Sequence, residues 1–283
     1  MTKLLRYGPS GAEEPGLVDS NGALRSLAGV VPDIGAETLS PSGLAQISAL
    51  DPMSLPLVEG SPRIGPCVAR PAKLIAIGLN YSDHAAEAGM PLPKEPIVFL
   101  KAPSALCGPY DDVTLPPEAE KTDWEVELAF VIGTASRRVS KVEAMHHVAG
   151  YCILNDISDR GWQLEREGQW TKGKSHDTFA PTGPWLVTAD EVADPQALGM
   201  TLDVNGVRRQ DGSTRTMIFG VAYLVSYLSH LMTLEAGDIV TTGTPPGVGM
   251  GLRPPVFLRP GDTMRLEITG LGHQQARVTA LKP

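Results

Sequence analysis

The stretch TDWEVELAF, residues 122–130, constrains the fold most strongly, because it has the apolar composition of a buried strand but contains two glutamates. Residues two apart on a strand point to the same face of the sheet, so Glu125 and Glu127 are predicted to project side by side. The opposite face of this strand carries apolar side chains: Trp124, Val126, Leu128 and Phe130. The chain must therefore form a sheet in which one strand presents two adjacent carboxylates.

A third acidic residue, Asp156, ends another apolar strand, YCILND, where it is well placed to line a cleft. If the three carboxylates converge within ~5 Å, their repulsion at an effective dielectric of ~20 is about 3 kcal/mol per pair. Such a cluster must take up protons or a cation, and oxygen ligands favour Mg²⁺, Mn²⁺ or Ca²⁺ over zinc. A Glu-x-Glu pair more often marks a solvated strand face, so the residues alone leave both alternatives open.

Strands outnumber helices in the rest of the chain, and the elements show no regular βαβα rhythm. Asn21-Gly22 indicates a hairpin within residues 1–65, a small N-terminal unit followed by a Pro- and Ser-rich linker. Apolar periodicity and capping signals predict the other elements: strands at 74–78, 126–133, 151–156 and 238–243, helices at 82–88, 140–150 and 218–231, and a hairpin within 262–281. We therefore predict a mixed, β-rich α/β fold.

Composition excludes several classes of protein. The net charge of the 283 residues is −8, and no block of basic residues favours nucleic acid or an anionic membrane as a partner. The longest apolar run, MIFGVAYLVSYL, is too short to span a bilayer, and the first residues lack the apolar core of a signal peptide. Three cysteines without a CxxC pair indicate neither a disulfide framework nor a zinc cluster. A cytoplasmic protein is predicted.

Several motifs occur in an order that resembles the fumarylacetoacetate hydrolase family: IGLNYSDHAAE, EPIVFLK, TDWEVELAFVIG, YCILNDISDR, TKGKSHDTFAPTGP, GSTRTMIFG and GDIVTTGTPPGVGMG. The resemblance covers residues 70–283 and implies a catalytic domain built as a mixed β-sheet roll, with residues 1–65 as the small N-terminal domain of many members. It further implies Mg²⁺ or Mn²⁺ as the cofactor, a homodimer, and a small oxo acid as the substrate.

The resemblance also implies roles for individual residues. It makes Glu125, Glu127 and Asp156 the metal ligands. His84 and Glu87 match the His-x-x-Glu pair of a short lid helix, where Glu87 orients the imidazole and His84 takes a proton from water. On spacing alone such a pair is more often a surface contact.

Four further residues match positions that contact substrate in the family. Lys174, rather than Lys172, matches the lysine that stabilises charge on a substrate oxygen; two solvated lysines would be the ordinary interpretation of TKGKS. Arg160, Gln163 and Thr244 match substrate-binding positions, although Arg160 equally suits a surface salt bridge and Gln163 a loop cap.

Two residues depart from the family pattern. His176 stands where many relatives have Phe or Cys, and it either adds an imidazole to the pocket or fills space. Asp83 occupies a slot that supplies a metal ligand in the longest relatives, and its role here is left open.

Together these features predict a metal-dependent hydrolase that cleaves the carbon–carbon bond of a 2,4-dioxo acid. The branch that the chain most resembles acts on 2,4-dioxo-3-deoxy-L-rhamnonate or L-fuconate and yields pyruvate and lactate. The alternatives are a ureidoglycolate lyase, an oxaloacetate decarboxylase, a hydroxymuconate-type isomerase and a catalytically silent metal-binding scaffold.

Overall fold

The computed structural model describes residues 2–281, and most of the regular structure in this range is β-strand. The strands are β1 Lys3–Tyr7, β2 Glu14–Val18, β3 Leu24–Ser26, β4 Leu74–Gly78, β5 Ile97–Lys101, β6 Leu106–Cys107, β7 Val113–Leu115, β8 Thr122–Asp123, β9 Val126–Ile132, β10 Val148–Asn155, β11 Ser158–Asp159, β12 Ala180–Thr188, β13 Gly199–Val204, β14 Val207–Ser213, β15 Ile239–Thr241, β16 Thr263–Ile268 and β17 Gly272–Ala280.

The α-helices are short: α1 Pro41–Ser48, α2 Ser82–Glu87, α3 Arg160–Leu164, α4 Thr171–Lys174 and α5 Val221–Leu231. Single 3₁₀ turns connect other elements, among them Ala144–His147 and Gly249–Gly251. None of the helices within residues 2–281 has the length and apolar character needed to cross a membrane. The mixed, β-rich fold predicted from the sequence is confirmed.

The strands form a large mixed sheet of ten strands, a five-stranded sheet and a two-stranded sheet. The large sheet runs β3-β2-β1-β12-β10-β9-β15-β4-β5, with β6 on β12, and the five-stranded sheet runs β14-β13-β16-β17-β7. Strand β9 lies near the centre of the large sheet, antiparallel to both β10 and β15. Every residue of β9 and β10 is buried, which explains their nearly continuous apolar sequence.

This strand order determines where the functional side chains meet. In the register of β9 and β10, Glu127 pairs with Leu154, and the ladder continues beyond the strands, where Asp156 donates its backbone N–H to the Glu125 carbonyl at 2.9 Å. Strand β15, on the other side of β9, leads into the loop that contains Gly243. The three acidic residues and this loop therefore reach the same end of the sheet.

The N-terminal residues extend the large sheet. Strands β2 and β3 form the predicted hairpin around Asn21-Gly22, and Gly22 adopts the left-handed φ of +83° that the turn requires. Strand β1 pairs with β12, so this segment adds three strands at one edge. The division into domains at residues 65 to 70 stays a prediction.

The helix predicted at residues 140–150 is wrong. Its capping contact does form, since the Glu143 N–H donates to Ser140 Oγ at 3.3 Å, but the next turn is only the 3₁₀ segment Ala144–His147. From Val148 onward the backbone pairs with β9, and from Gly150 also with β12. Pairing within the sheet thus overrides a local helix-start signal.

Two other helix predictions are confirmed, with shifted ends. Helix α2 covers Ser82–Glu87 and is followed by Gly89 at a φ of +63°, as expected for a C-terminal glycine. Helix α5 begins at Val221 rather than at Ile218, and Gly220 is its N-cap residue. The predicted strands at 74–78 and 238–243 correspond to β4 and β15, and the C-terminal hairpin to β16 and β17.

Candidate active site

A cavity of about 330 Å³ opens at the end of the large sheet where β9, β10 and β15 finish. All nine residues to which the sequence assigned a catalytic, binding or metal-ligating role line this cavity: His84, Glu87, Glu125, Glu127, Asp156, Arg160, Gln163, Lys174 and Thr244. They come from α2, the residue just before β9 and β9 itself, the segment after β10, α3, α4 and the loop after β15. Residues far apart in the chain thus surround one volume.

The three predicted metal ligands form a compact, buried group. Glu125, Glu127 and Asp156 each offer a carboxylate oxygen, and these oxygens all lie within 4.8 Å of one another. Their residues are 6%, 1% and 1% exposed. This burial excludes the solvated strand face that a generic Glu-x-Glu pair suggests.

Three buried cations surround two of these carboxylates. Lys174 Nζ lies 2.6 Å from Glu125 Oε2 and 2.6 Å from Asp156 Oδ2, bridging the two acids. Lys101 Nζ contacts the other oxygen, Asp156 Oδ1, at 2.6 Å. Arg160 Nη2 donates to Glu125 Oε1 at 2.7 Å. Burial alone would raise the pKa of Glu125, but Arg160 and Lys174 outweigh it and hold that pKa well below its ordinary value.

Glu127 differs from its two neighbours because its carboxylate forms no ion pair with a cation of the described residues. Among residues 2–281 its hydrogen-bond donors are uncharged: the Thr241 hydroxyl and the Gly243 backbone N–H, the latter at 2.8 Å. Burial and the negative charges of Asp156 and Glu125 raise the pKa of Glu127 well above its ordinary value. The Glu127 oxygens are therefore the ones that most require a cation or a proton.

The charges of the site fit a divalent cation. Four buried carboxylates, those of Asp123 and the three predicted ligands, face the three cations Lys101, Arg160 and Lys174. With all four carboxylates ionised, the group carries one excess negative charge, and a divalent cation would leave one positive charge to attract an anionic substrate. Three carboxylate ligands suit Mg²⁺ or Mn²⁺, which bind oxygen and keep positions for further ligands.

The lid helix α2 places a histidine and a glutamate at the mouth of the cavity. His84 Nδ1 lies 3.1 Å from Glu87 Oε2, and Glu87 Oε1 accepts the Gly247 backbone N–H at 3.0 Å. The backbone at Gly251 also packs against the Glu87 side chain, since a Cβ atom at Gly251 would lie 3.3 Å from Glu87 Cδ. Glu87 therefore fixes the His84 imidazole and ties the lid helix to the loop after β15.

The structure separates the two lysines of TKGKS. Lys174, the last residue of α4, is 2% exposed and contacts two of the acidic residues. Lys172 is exposed and donates to the Arg166 carbonyl. The position chosen from the family motif is thus the one that faces the cavity.

The three predicted substrate-binding residues are largely engaged with the protein. Arg160 donates to Asp123, to Glu125 and, through Nη1, to Gln163 Oε1 at 2.9 Å. The Thr244 hydroxyl donates to the Val126 carbonyl at 2.9 Å and accepts from Gln210. Arg160 and Thr244 thus orient the acidic residues and the loop after β15, and their contact with a substrate stays a prediction.

Sequence reasoning missed two buried charged residues. Lys101, the last residue of β5, is 1% exposed and holds Asp156. Asp123 binds Arg160 and accepts the backbone N–H groups of Gly249 and Met250 at 2.7 and 3.0 Å, which fixes the loop after β15. The sequence signal that could have identified Lys101 was a single lysine at the end of an apolar strand.

The two departures from the family pattern lie outside the acidic group. Asp83 accepts hydrogen bonds from Thr216 and from the His84 backbone, and it is not among the clustered carboxylates of the described residues. His176 packs edge-on against Phe179 at a centroid distance of 5.0 Å, and burial lowers its pKa. His176 therefore fills space beside the site.

Comparison with known proteins places the chain in a family. Residues 73–279 match the family described as fumarylacetoacetate (FAA) hydrolase C-terminal. A relative from Burkholderia ambifaria, named simply as a hydrolase, is 61% identical over 273 residues, which are 96% of this chain and 97% of the relative.

Solved structures agree with this match. The fumarylacetoacetate hydrolase of Exiguobacterium antarcticum has a TM-score of 0.86 at 35% identity, over 99% of this chain and 100% of that one. The maleylpyruvate hydrolase of Sphingobium sp. SYK-6, solved with manganese(II) ion and pyruvate, has a TM-score of 0.81 at 31% identity, over 99% and 100% of the two chains. The chain therefore belongs to the fumarylacetoacetate hydrolase family.

Proposed function

We propose that the protein is a divalent-metal-dependent hydrolase that cleaves the C3–C4 bond of a 2,4-dioxo acid. The observation that carries this proposal is the meeting, in one cavity, of three clustered carboxylates, the His84–Glu87 pair and Lys174. A cation at the carboxylates, a base in the same cavity and an ammonium group beside the carboxylates are the parts that such a hydrolysis needs.

When bound by Glu125, Glu127 and Asp156, Mg²⁺ or Mn²⁺ acts as a Lewis acid toward the oxo acid head of the substrate. The protein's own residues perform the other tasks. Lys174, Lys101 and Arg160 hold Glu125 and Asp156 in place through buried ion pairs. The net positive charge of the loaded site attracts the substrate carboxylate.

The His84–Glu87 pair supplies the base. With its Nδ1–H donated to Glu87, His84 keeps Nε2 free to accept a proton from a water molecule, which attacks the C4 carbonyl. Lys174 donates to the oxygen on which negative charge develops. The C3–C4 bond then breaks, C4 leaves as the carboxylic acid, and the electron pair of the bond passes to C3 to form the pyruvate enolate. The proton that His84 took from water is then delivered to C3, which completes pyruvate.

The identity of the acyl group that contains C4 is a separate question. The motif resemblance favours a lactoyl group, as in 2,4-dioxo-3-deoxy-L-rhamnonate or L-fuconate, which would yield pyruvate and lactate. The maleylpyruvate hydrolase among the similar structures was solved with pyruvate, the product common to this class of reaction. We therefore take release of pyruvate as the defining readout.

The test is pyruvate release from a panel of 2,4-dioxo acids, coupled to lactate dehydrogenase, with excess chelator and with Mg²⁺ or Mn²⁺ restored. We expect turnover that chelator abolishes and either ion restores. Full turnover in excess chelator would refute the metal role. Isomerisation of the substrate without release of pyruvate would show that the protein is an isomerase rather than a hydrolase.

The chain offers a matched control for the base. His146 and Glu143 form a similar pair, with Nδ1 to Oε2 at 3.2 Å, but on the surface, where the two side chains are 78% and 61% exposed. His84→Ala should lower kcat by about 10²–10⁴-fold, the usual contribution of a general base, and His146→Ala should leave it unchanged. Equal rates for the two variants would remove His84 from the mechanism.

A further inference from the structure

Gln210 is a buried polar residue in a strand that is otherwise open to solvent. Strand β14 lies at one edge of the five-stranded sheet, and of its seven residues, all within the described part of the chain, Gln210 alone is buried. The residue is 0% exposed. A buried amide is costly unless its hydrogen bonds are made, so its partners identify the contacts that this position maintains.

The amide of Gln210 joins the strand of the two glutamates to the loop after β15. Its Oε1 accepts the Val126 backbone N–H at 2.9 Å, and its Nε2 donates to Thr244 Oγ1 and to the Pro245 carbonyl, each at 2.8 Å. The Thr244 hydroxyl in turn donates to the Val126 carbonyl at 2.9 Å. Both polar backbone groups of Val126 are therefore held by one amide and by the hydroxyl bound to it.

Val126 stands between the two glutamates of the acidic group. Glu125 and Glu127 extend from the residues on either side of it, so the spacing of their carboxylates depends on how the peptide units of Val126 are turned. The hydrogen bonds to its N–H and its carbonyl fix these peptide units. Gln210 therefore acts on the acidic group, although among the described residues its hydrogen bonds go to none of the three carboxylates.

The loop that Gln210 binds also holds the partner of the predicted base. Two residues beyond Pro245, the Gly247 N–H donates to Glu87 Oε1 at 3.0 Å. Glu87 in turn contacts His84 Nδ1 at 3.1 Å. The acidic group and the His84–Glu87 pair thus depend on one side chain of the second sheet.

The loop packs directly against the backbone of β14 on both sides of Gln210. A Cβ atom at Gly212 would collide with Pro245, and one at Gly247 would collide with the Arg209 carbonyl oxygen. Glycine at these two positions lets the loop and the strand approach closely. Strand β14 therefore sets the position of the loop.

We propose that Gln210 is a positioning residue that sets the distance between the cation-binding carboxylates and the His84–Glu87 pair. An amide suits this task because it accepts from the strand and donates to the loop at the same time. Gln210 is not among the described residues that line the cavity, so it acts through Val126 and the loop rather than on the substrate. The effect on cation binding stands by itself, and only the effect on turnover rests on the proposed function.

The test replaces Gln210 by methionine, which has a similar length but lacks the amide. A second buried glutamine provides a matched control. Gln274 on β17 is 0% exposed and donates to three backbone carbonyls that do not line the cavity, those of Ile153, Pro181 and Gly183. Because Gln210→Met and Gln274→Met each remove three hydrogen bonds of a buried amide, both should lower the midpoint of urea unfolding.

Mn²⁺ binding without substrate separates the two variants. Gln210→Met should weaken Mn²⁺ affinity by about tenfold, the lower end of what groups that orient metal ligands contribute, whereas Gln274→Met should retain it. At saturating Mn²⁺, Gln210→Met should also lower kcat by about tenfold with KM little changed, because the base is misplaced. The electron paramagnetic resonance spectrum of Mn²⁺ bound to Gln210→Met should differ from that of wild type. A general loss of packing would affect both variants equally.

A further variant moves the loop alone. Gly212→Ala forces the loop away from β14 at Pro245 while the amide of Gln210 remains. It should lower kcat and leave Mn²⁺ affinity close to that of wild type, because Val126 keeps its hydrogen bond to Gln210.

The outcomes distinguish the positioning role from the reaction. Weaker Mn²⁺ binding in Gln210→Met than in Gln274→Met, without pyruvate release from any 2,4-dioxo acid by wild type, would retain the positioning role and refute the proposed hydrolysis. Pyruvate release with equal Mn²⁺ affinity and equal kcat in the two variants would overturn the role of Gln210. If Gln210→Met does not fold, an unchanged kcat in Gly212→Ala would overturn it.

Discussion

Two clusters in this protein each combine carboxylates with basic side chains but differ in how completely the carboxylates are paired. The pocket cluster consists of Lys101, Asp123, Glu125, Glu127, Asp156, Arg160 and Lys174. The N-terminal cluster joins the first strands to the segments before β4 and β7 and consists of Arg6, Glu13, Asp33, Arg63 and Asp111.

In the N-terminal cluster every carboxylate contacts an arginine. Glu13 binds both Arg6 and Arg63, Asp33 binds Arg6, and Asp111 binds Arg63. Several of these side chains are partly exposed: that of Asp33 is 32% exposed and that of Arg63 is 29% exposed. This cluster needs no further ion, and its role is to hold segments of the chain together.

In the pocket cluster the side chains are almost completely buried, yet Glu127 contacts only uncharged donors among the described residues. A buried carboxylate without a cation is unfavourable unless something else binds it. Whether each carboxylate is paired with a basic side chain, rather than the number of charges, therefore separates a cluster that stabilises the fold from one that binds a cation.

The largest expected effect comes from removing the unpaired carboxylate. Glu127→Gln should abolish metal-dependent turnover and weaken Mn²⁺ binding by at least about 100-fold, because it removes one ligand and neutralises the charge that most needs the ion. In excess chelator the same variant should be at least as stable as wild type, since it relieves repulsion from Glu125 and Asp156. Calorimetric Mn²⁺ titration and thermal unfolding in chelator measure both effects.

The matched change in the other cluster is Glu13→Gln. It should leave Mn²⁺ binding and kcat within about twofold of wild type and lower the free energy of unfolding by about 1 kcal/mol, through lost charge-assisted hydrogen bonds. If Glu127→Gln retained Mn²⁺ affinity, or if Glu13→Gln lost it, the distinction between the clusters would fail.

The next effect concerns the cation that bridges two of the acids. Lys174→Met should lower kcat by about 10²–10³-fold, the loss typical of one donor to a developing oxyanion, whereas Lys172→Met should leave kcat unchanged. Steady-state kinetics on the two purified variants, with folding checked by circular dichroism, make the comparison. A large loss in Lys172→Met alone would move the catalytic assignment by two residues.

Much of the fold could be predicted from the sequence because its signals are local. Apolar runs bounded by turn residues located β4 and β10, and alternation located the hairpin of β16 and β17. The helix predicted at 140–150 was wrong because Ser140 and Glu143 specify a turn, whereas the neighbouring strands decide the conformation of the residues after that turn. Strand pairing joins residues that are distant in the chain, and no local sequence pattern predicts which strands will pair.

The site was predictable to the extent that its residues interrupt apolar runs or lie in motifs. Glu127 stands out because a charged side chain within a buried strand is unfavourable unless another group compensates its charge. Lys101 was missed because nothing in the sequence shows that the end of β5 lies beside Asp156. Such residues become visible only when the fold brings them to the cavity.

A further pair of variants, one in each cluster, compares the two clusters through stability. Lys101→Met leaves the carboxylate of Asp156 buried with one cation fewer, and breaking a buried pair typically costs about 3–5 kcal/mol. Because a bound cation compensates the charge of Asp156, Mn²⁺ should recover part of this loss of stability.

Arg63→Met, the control in the N-terminal cluster, should lower the free energy of unfolding by about 1 kcal/mol, since the contacts of Arg63 are partly exposed, and Mn²⁺ should not change that loss. Chemical unfolding with chelator and with Mn²⁺ tests both variants; a loss in Lys101→Met that Mn²⁺ leaves unchanged would argue against Asp156 as a ligand.

The smallest effect is the pH dependence of the N-terminal cluster. Burial by itself would raise the pKa of Glu13, but the hydrogen bond from Arg63 and the charges of Arg6 and Arg63 lower it below its ordinary value of 4.5. A carboxylate with a depressed pKa in the folded state stabilises the protein above the unfolded value and loses that contribution as the pH falls through the folded value. The difference in unfolding free energy between wild type and Glu13→Gln should therefore be constant from about pH 7 to 5 and shrink between about pH 4.5 and 3. Urea unfolding across this range measures the difference, and one that grew on acidification would show that Glu13 is not held ionised by its arginines.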